Sequence, residues 1–407
     1  MRCFPTPCPC CTSAWCQSAR RDPKLARRVP ARSLARSRRL TQLTQEVREA
    51  LARLLHALLQ AADAAVLPYG TELVETLAAA LRDDAPPAAC AACAAAEVLS
   101  ATLGRRLGDS AVHLAEAATP LLTHRRAAVR LAALDAVGAL VQAGAAQHIL
   151  TLAAFEHANE VPLSAFYGDS CVRINYLGKL ATDAHAGVRT RLLHTLCDWL
   201  LRLPERADHA PLLLPYVLAG RSDEAPEVAA AATAAVDALG EALAQERADE
   251  LREGASYGVN ALPPPPCGRA LRLGARLLVR QHLSAVLPGC VADLRAWTEA
   301  VRPRAVALLE TLLEYGDRAA ARYAPTLVPA LCRACADADA RVADGARRCC
   351  LLVARCFPPS AWLGLVLEHV EEAPGRAAAV QLLKQMSDAA DADAMAPHAS
   401  ELEAYST

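Results

Sequence analysis

Aromatic side chains are scarce in this chain: Phe, Trp and Tyr together make up 4% of 407 residues. Hydrophobic residues still reach 54%, because the apolar mass is mostly Leu and Ala, the latter at 92 positions. Ala and Leu are the best helix formers and poor strand formers. A β-sandwich, a collagen-like fibre and a wholly disordered chain are therefore excluded. Long hydrophobic runs are missing too. No stretch approaches the roughly 18 to 20 uninterrupted apolar residues of a membrane helix, and the Ala-rich run at 88–96 stops at Glu97. The N-terminus also lacks the apolar core of a secretory signal. We expect a soluble, cytoplasmic protein whose sixteen Cys stay reduced.

Net charge is almost absent, at −1, but it sums two opposite regions. Residues 1–40 carry nine Arg and Lys24 against Asp22, which is +9. The other 367 residues hold 33 basic and 43 acidic groups, which is −10. The basic head reads as a disordered arm. Its Arg- and Ser-rich composition also suits an organellar transit peptide, although Pro5, Pro7, Pro9, Pro23 and Pro30 would break the helix such a peptide needs. Cys8, Cys10, Cys11 and Cys16 match no two-plus-two zinc spacing.

From about Leu40 onward, apolar helical segments alternate with short Asp, Gly and Pro breaks. Several units share one plan. A Pro opens a first helix, an Asp-containing turn follows, and a second helix begins with Val, often Val-Arg. The clearest copy, residues 323–356, has Pro325, Leu327, Val328 and Leu331, then Asp337 and Asp339, then Val342, Ala346, Cys350 and Val353. An earlier copy runs from Pro211 through Asp223 to Val228, Ala231, Ala235 and Leu239. The Val anchors at 129, 188, 228, 301 and 342 are 59, 40, 73 and 41 residues apart. A period near 40 is that of HEAT or armadillo units. The two long gaps hold non-helical insertions at 156–169 and 254–268, the second with prolines at 263–266.

The spacing predicts an all-α fold, an α-solenoid of about seven helix pairs near 43–81, 88–143, 172–202, 208–247, 269–315, 322–356 and 360–388. The implied organisation is a basic arm (1–40), a first array (41–253), a Gly/Pro-rich loop (254–268), a second array (269–390) and an incomplete repeat or tail (391–407). One pair cannot bury its apolar stripe alone, so neighbours stack and share a core. Burial at ~1.5 to 3 kcal/mol per full Leu or Val dominates stability. The Arg after the anchor Val (Arg130, Arg189, Arg302) can reach an Asp of a turn or of a neighbouring repeat. Such a pair gives only ~0 to 1 kcal/mol when exposed.

No catalytic constellation survives inspection. Gly254-Ala-Ser256-Tyr-Gly258 has the G-x-S-x-G form of a nucleophile elbow, which works only on a strand-to-helix turn. An acidic segment before it and four prolines after it mark a linker. Cys90-x-x-Cys93 and Cys332-x-x-Cys335 fall within helices about six repeats apart, too far to share a zinc ion, so core packing is expected. Gly178-Lys179 lacks the upstream Gly and the Ser/Thr of a phosphate loop. No His-Glu dipeptide occurs, which disfavours the HEAT-repeat di-iron hydroxylases. We expect no metal, no cofactor and no enzyme activity.

At the level of whole segments the body resembles one HEAT-repeat family, the axonemal dynein assembly factors known as HEAT repeat-containing protein 2 or dynein axonemal assembly factor 5. The resemblance covers about residues 43–386. It is carried by Asp183, Val188-Arg189 and Trp199-Leu200, followed by His209, Pro211 to Leu214 and the turn from Asp223 to Val228. The prolines at 263–266, Cys267, the helix up to Leu287-Pro288, Asp293, Trp297 and Val301-Arg302 follow in the family's order. Val228 is followed by Ala229 where the family favours Arg, and the family's chains are longer. The resemblance implies a cytoplasmic, non-enzymatic scaffold that assembles outer and inner dynein arms for motile cilia. Its implied partners are dynein subunits, the intermediate chain in particular, and chaperones. Nucleic acid, membrane and small-molecule substrates are not expected. Arg130, Arg189 and Arg302, with Trp297 as an aromatic anchor, are the candidate protein-contact residues, repeat packing being the competing reading. The alternative function is a generic HEAT adaptor in nuclear transport, phosphatase scaffolding or microtubule binding.

Overall fold

The computed structural model describes residues 44–153, 174–249, 271–296, 301–372, 376–399 and 402. Among the described residues there is no strand, and fifteen α-helices of six residues or more follow one another. The first five are α1 (Gln45–Ala62), α2 (Gly70–Ala80), α3 (Pro86–Leu103), α4 (Asp109–Ala118) and α5 (Ala127–Leu140). Next come α6 (Tyr176–Ala181), α7 (Ala186–Arg202), α8 (Arg206–Ala219), α9 (Pro226–Glu246) and α10 (Leu273–Asp293). The last are α11 (Val301–Gly316), α12 (Ala324–Ala334), α13 (Ala340–Cys356), α14 (Pro359–Glu372) and α15 (Arg376–Ala389). The basic arm, the insertion at 156–169, the loop at 254–268 with Ser256, Trp297 and most of the tail lie outside the described residues.

From α2 onward each even-numbered helix pairs with the odd-numbered helix after it, giving seven pairs of a HEAT-repeat solenoid. Second helices stack in one layer, α1 on α3, α3 on α5, α5 on α7 and α7 on α9, and again α11 on α13 and α13 on α15. First helices form the other layer, with α2 on α4, α6 on α8 and α12 on α14. The pairs divide differently from the expected 43–81 and 88–143. Helix α1 is a second helix without a described first helix, so α2 pairs forward with α3.

Short-range chemistry sets the helix starts. Pro86 and Pro226 open α3 and α9, where a missing N–H costs nothing. Just before α3, α7, α9 and α13, an Asp side chain accepts the backbone N–H two residues on, at 2.8 to 2.9 Å, and turns the chain into the helix. The expected proline opening holds for α12, where Pro325 sits in the first turn. In α8 it does not: the helix starts earlier, at Arg206, and Pro211 and Pro215 lie inside it.

Ala and Leu fill the core, and Trp199 and Trp362 are fully buried within it. Trp199 needs a partner for its ring N–H, and Nε1 donates to the Gly138 carbonyl of α5 at 3.1 Å. Residues 86–107 and 127–152 are long and apolar enough to cross a membrane by composition, but half of each window is buried inside the stack.

At the fifth pair the stack changes partners. Helix α9 runs against α10, a first helix, while α8 reaches across to α11. The α9–α10 crossing is a backbone-on-backbone contact. A Cβ on Gly240 would lie 2.3 Å from the Ala275 nitrogen, and one on Gly274 would lie 2.0 Å from the Gly240 carbonyl oxygen. No other residue type fits there.

Candidate functional site

A ladder of Arg–Asp pairs runs along the stack. Arg48 in α1 reaches the turn before α3, where Nε and Nη2 lie 2.6 and 3.1 Å from the Asp83 carboxylate. Arg130 in α5 binds Asp183 through both nitrogens at 2.6 Å, and Arg189 in α7 binds Asp223 at 2.8 and 2.7 Å. Arg302 in α11 binds Asp337 at 2.8 and 3.2 Å. Each rung joins one second helix to the turn of the next repeat. Three of the four arginines also donate Nη1 to a carbonyl six residues back, of His124, Asp183 or Ala296. Asp183 thus accepts Arg130 on its side chain and Arg189 on its backbone, which makes two rungs continuous.

Planar guanidinium and carboxylate match bidentately, and these forks are largely withdrawn from water, unlike a loose surface pair. The Asp223 hydrogen bond holds the Arg189 guanidinium above its ordinary pKa. Burial pulls the Asp223 carboxyl upward, but Arg189 and the Ala225 N–H outweigh it, and its pKa falls below the usual range. Asp337 behaves alike, with burial opposed by the Asp339 N–H and Arg302.

Among the described turns two rungs lack both partners together; α13 likewise has Ala343 in place of the Arg, facing a turn outside the described residues. Three residues into α3 and α9, where α5 and α7 carry Arg130 and Arg189, stand Ala89 and Ala229. The facing turn positions are His124 and Ala296 rather than Asp. His124 still makes the turn, its Nδ1 accepting the Arg126 N–H at 3.1 Å. Losing both partners leaves no buried charge stranded, the costly outcome of losing one. An open groove of about 510 Å³ lies near the first empty rung, lined by Arg82, Asp83, Asp84, Pro120, His124 and Arg125 among others.

Other charges tie the fourth pair to the fifth and the fifth pair within itself. Arg221, just after α8, lies with Nη1 3.4 Å from Glu314 of α11 and its guanidinium 4.7 Å over the Tyr315 ring. Deeper still, Asp317 receives Arg276 at 2.8 Å and Arg280 at 3.2 Å. Asp317 is buried with φ +50, a left-handed backbone that Asp tolerates better than most side chains.

Of the candidate contact residues, Arg130, Arg189 and Arg302 all stand on rungs, and Trp297 lies outside the described residues. Arg48 escaped the sequence reading, although Val47-Arg48 repeats the Val-Arg form and Asp83 precedes a Pro-opened helix. The CxxC pairs lie at opposite ends of the array. Cys350, placed in the second helix by its spacing, joins the second CxxC pair: its Sγ is 3.9 Å from that of Cys335, and Cys332 also bonds it. Hydrogen bonding with Cys332 and Cys335, then burial, pushes the Cys350 thiol far up, and burial first pushes Cys93 and Cys290 to about 12. Such thiols stay protonated and pack as apolar groups. Among the described residues, no group of three or more His, Cys, Asp or Glu could hold a metal ion. Gly178-Lys179 begins a capped helix, with the Gly178 N–H bound to Asn175 Oδ1 at 2.7 Å.

A family model described as dynein axonemal assembly factor 5, HEAT-repeat domain, matches residues 263–404. A second, described as dynein axonemal assembly factor 5-like, TPR repeats, matches residues 23–155 and 172–254. The chain is 26% identical over 391 residues to dynein axonemal assembly factor 5 of Mus musculus, covering 94% of this chain and 43% of that protein. Against the Homo sapiens protein of the same name the identity is 25% over 376 residues, with 92% and 41% covered. The chain therefore spans about two fifths of the length of the curated relatives it matches. Among solved structures, it is similar at 14% identity and a TM-score of 0.35 to a chain of the Kap95:Nup1 complex, covering 88% of this chain and 50% of that one.

Proposed function

Because the chain belongs to the dynein axonemal assembly factor 5 family, we propose that it is a non-enzymatic HEAT-repeat scaffold for assembling axonemal dynein arms. In this reading it acts in the cytoplasm on outer and inner arms, before their transport into motile cilia or flagella. It binds dynein intermediate chain and works alongside chaperones. The observation that supports this best is that matches to the two family models cover most of both arrays, the second match beginning at the proline run itself. We read the chain as two arrays, 41–253 and 269–390, joined by the loop at 254–268.

The physical side of the proposal is modest. A stack of helix pairs offers a long surface suited to a partly folded client. The −10 of the body favours basic patches on that client through steering more than through affinity. Arg130, Arg189 and Arg302 serve packing first in this reading, since their forks are already filled. Affinity purification from ciliating cells should recover dynein intermediate chain, and gene disruption should leave cilia without dynein arms. Normal arms in the mutant would sink the proposal.

A further inference from the structure

Helix α1 carries an apolar face that nothing among the described residues covers. Val47, Leu51, Leu54 and Leu58 are 42% to 55% exposed, and Ala50, Ala57 and Ala61 lie exposed beside them. Together they repeat every seven residues. The opposite face, with Ala52 and Leu59, is buried where α1 packs on α3, so α1 is apolar on two sides.

The ladder gives second helices a common register, and in α3, α5, α7, α9 and α13 the same stripe is buried. Aligning Arg48 with Arg130 places Val129, Ala133, Ala136 and Leu140 of α5 at the four positions, all 1% exposed or less. The equivalent positions of α3, α7, α9 and α13 are buried likewise. Their partner is the preceding second helix: Trp199, at the position of Leu58, donates to the Gly138 carbonyl of α5. Cys349, at the position of Leu54, lies 3.7 Å from the Val306 carbonyl of α11. The face of α1 is thus built to receive another helix.

We propose that this face pairs with the same face of a second copy of the chain, antiparallel about a two-fold axis at Leu54. That register sets Leu58 against Ala50, Leu51 against Ala57 and Val47 against Ala61, with Leu54 against its own copy. On either side of the central Leu54 pair, large side chains meet small ones, as suits a self-complementary two-fold contact. Arg53 on the rim is neutralised by Glu49 within the helix. The basic residues 1–40 offer no comparable apolar stripe, carrying nine Arg and a Lys. One helix of this length buries less than the ~800 Å² per partner of a standard interface. The dimer is therefore weak, with a dissociation constant on the order of 10 μM.

Sedimentation velocity on the full chain from about 1 to about 200 μM, spanning that constant, tests the pairing. The wild type should shift from monomer to dimer. Leu54→Glu should remain monomeric with an unchanged thermal melt, because the residue is exposed. Ala57→Leu should weaken the dimer by about tenfold or more, since it collides with Leu51 of the second copy. A wild type that stays monomeric throughout overturns the proposal, whether residues 1–43 or another protein's helix covers the face. Association that Ala57→Leu strengthens overturns it as well, because added apolar area then acts without a register.

Discussion

Between α7 and α9 the array is held at its edge by a bidentate fork, Arg189 on Asp223, with small and aromatic side chains packed beneath it. Between α9 and the fifth pair it is held at its centre by two glycines in backbone contact, and the fifth pair itself is tied by charges buried around Asp317. The first joint repeats, and its partner residues can be lost in pairs at small cost. The second is unique, and each of its parts is constrained by the others. A period explains the first joint; only the particular geometry explains the second.

The largest effect should follow from closing the glycine crossing. Gly274→Ala places a methyl group against the Gly240 carbonyl, with no side chain able to move aside. It should destabilise the chain by about 3 kcal/mol or more in urea denaturation. Gly289→Ala, in the same helix but with nothing within 4 Å, should stabilise by about 0.5 to 1 kcal/mol instead. Equal effects at both positions would mean the crossing is looser than the distances say.

Asp317→Asn comes next. Asn tolerates the left-handed backbone, so the change isolates the charge that faces Arg276 and Arg280. Breaking a buried pair from one side costs about 3 to 5 kcal/mol at most, and the partial exposure of Arg280 places this one near the lower end. Arg189→Ala should cost less, about 2 kcal/mol, because water at the edge partly resolvates Asp223. A chemical melt that ranks Arg189→Ala above Asp317→Asn would reverse the comparison.

Acid should produce the smallest effect. Asp223 and Asp337 have native pKa values below their ordinary 3.8, so their contribution is full above that value and is lost as pH falls through the lower native one. Buried His148, lowered from 6.5 by desolvation and bonded to Thr119 at 2.8 Å, has the same sign at higher pH. Stability should therefore begin to fall below about pH 6.5 through His148, and again below about pH 4 through the ladder. Thermal melts of Asp223→Asn across this range should lack part of the second loss. A profile unchanged by that substitution would remove the ladder from the acid response.

Much of the repeating joint was legible in the sequence. Val188-Arg189 and Asp223 lie in a recurring pattern, and helical spacing placed the second helices closely. The identity of the partners was harder, because Arg130 reaches Asp183 across an insertion and 53 residues of chain. Two glycines 34 positions apart carry no periodic signal, so Gly240 and Gly274 could not be matched without coordinates. Asp317 has no motif, and only its backbone angle and burial single it out. Nothing in the spacing sets the stripe on α1 apart from those of other second helices, and only its exposure differs.

Ladder residues act as pairs, so that losing one strands the other while losing both does not. A double-mutant cycle on Arg189 and Asp223, read by urea denaturation of the full chain, addresses it directly. The predicted result is a coupling of about 1.5 kcal/mol or more, with Arg189→Ala/Asp223→Ala little worse than either single change. Two single costs that simply add in the double variant would contradict it.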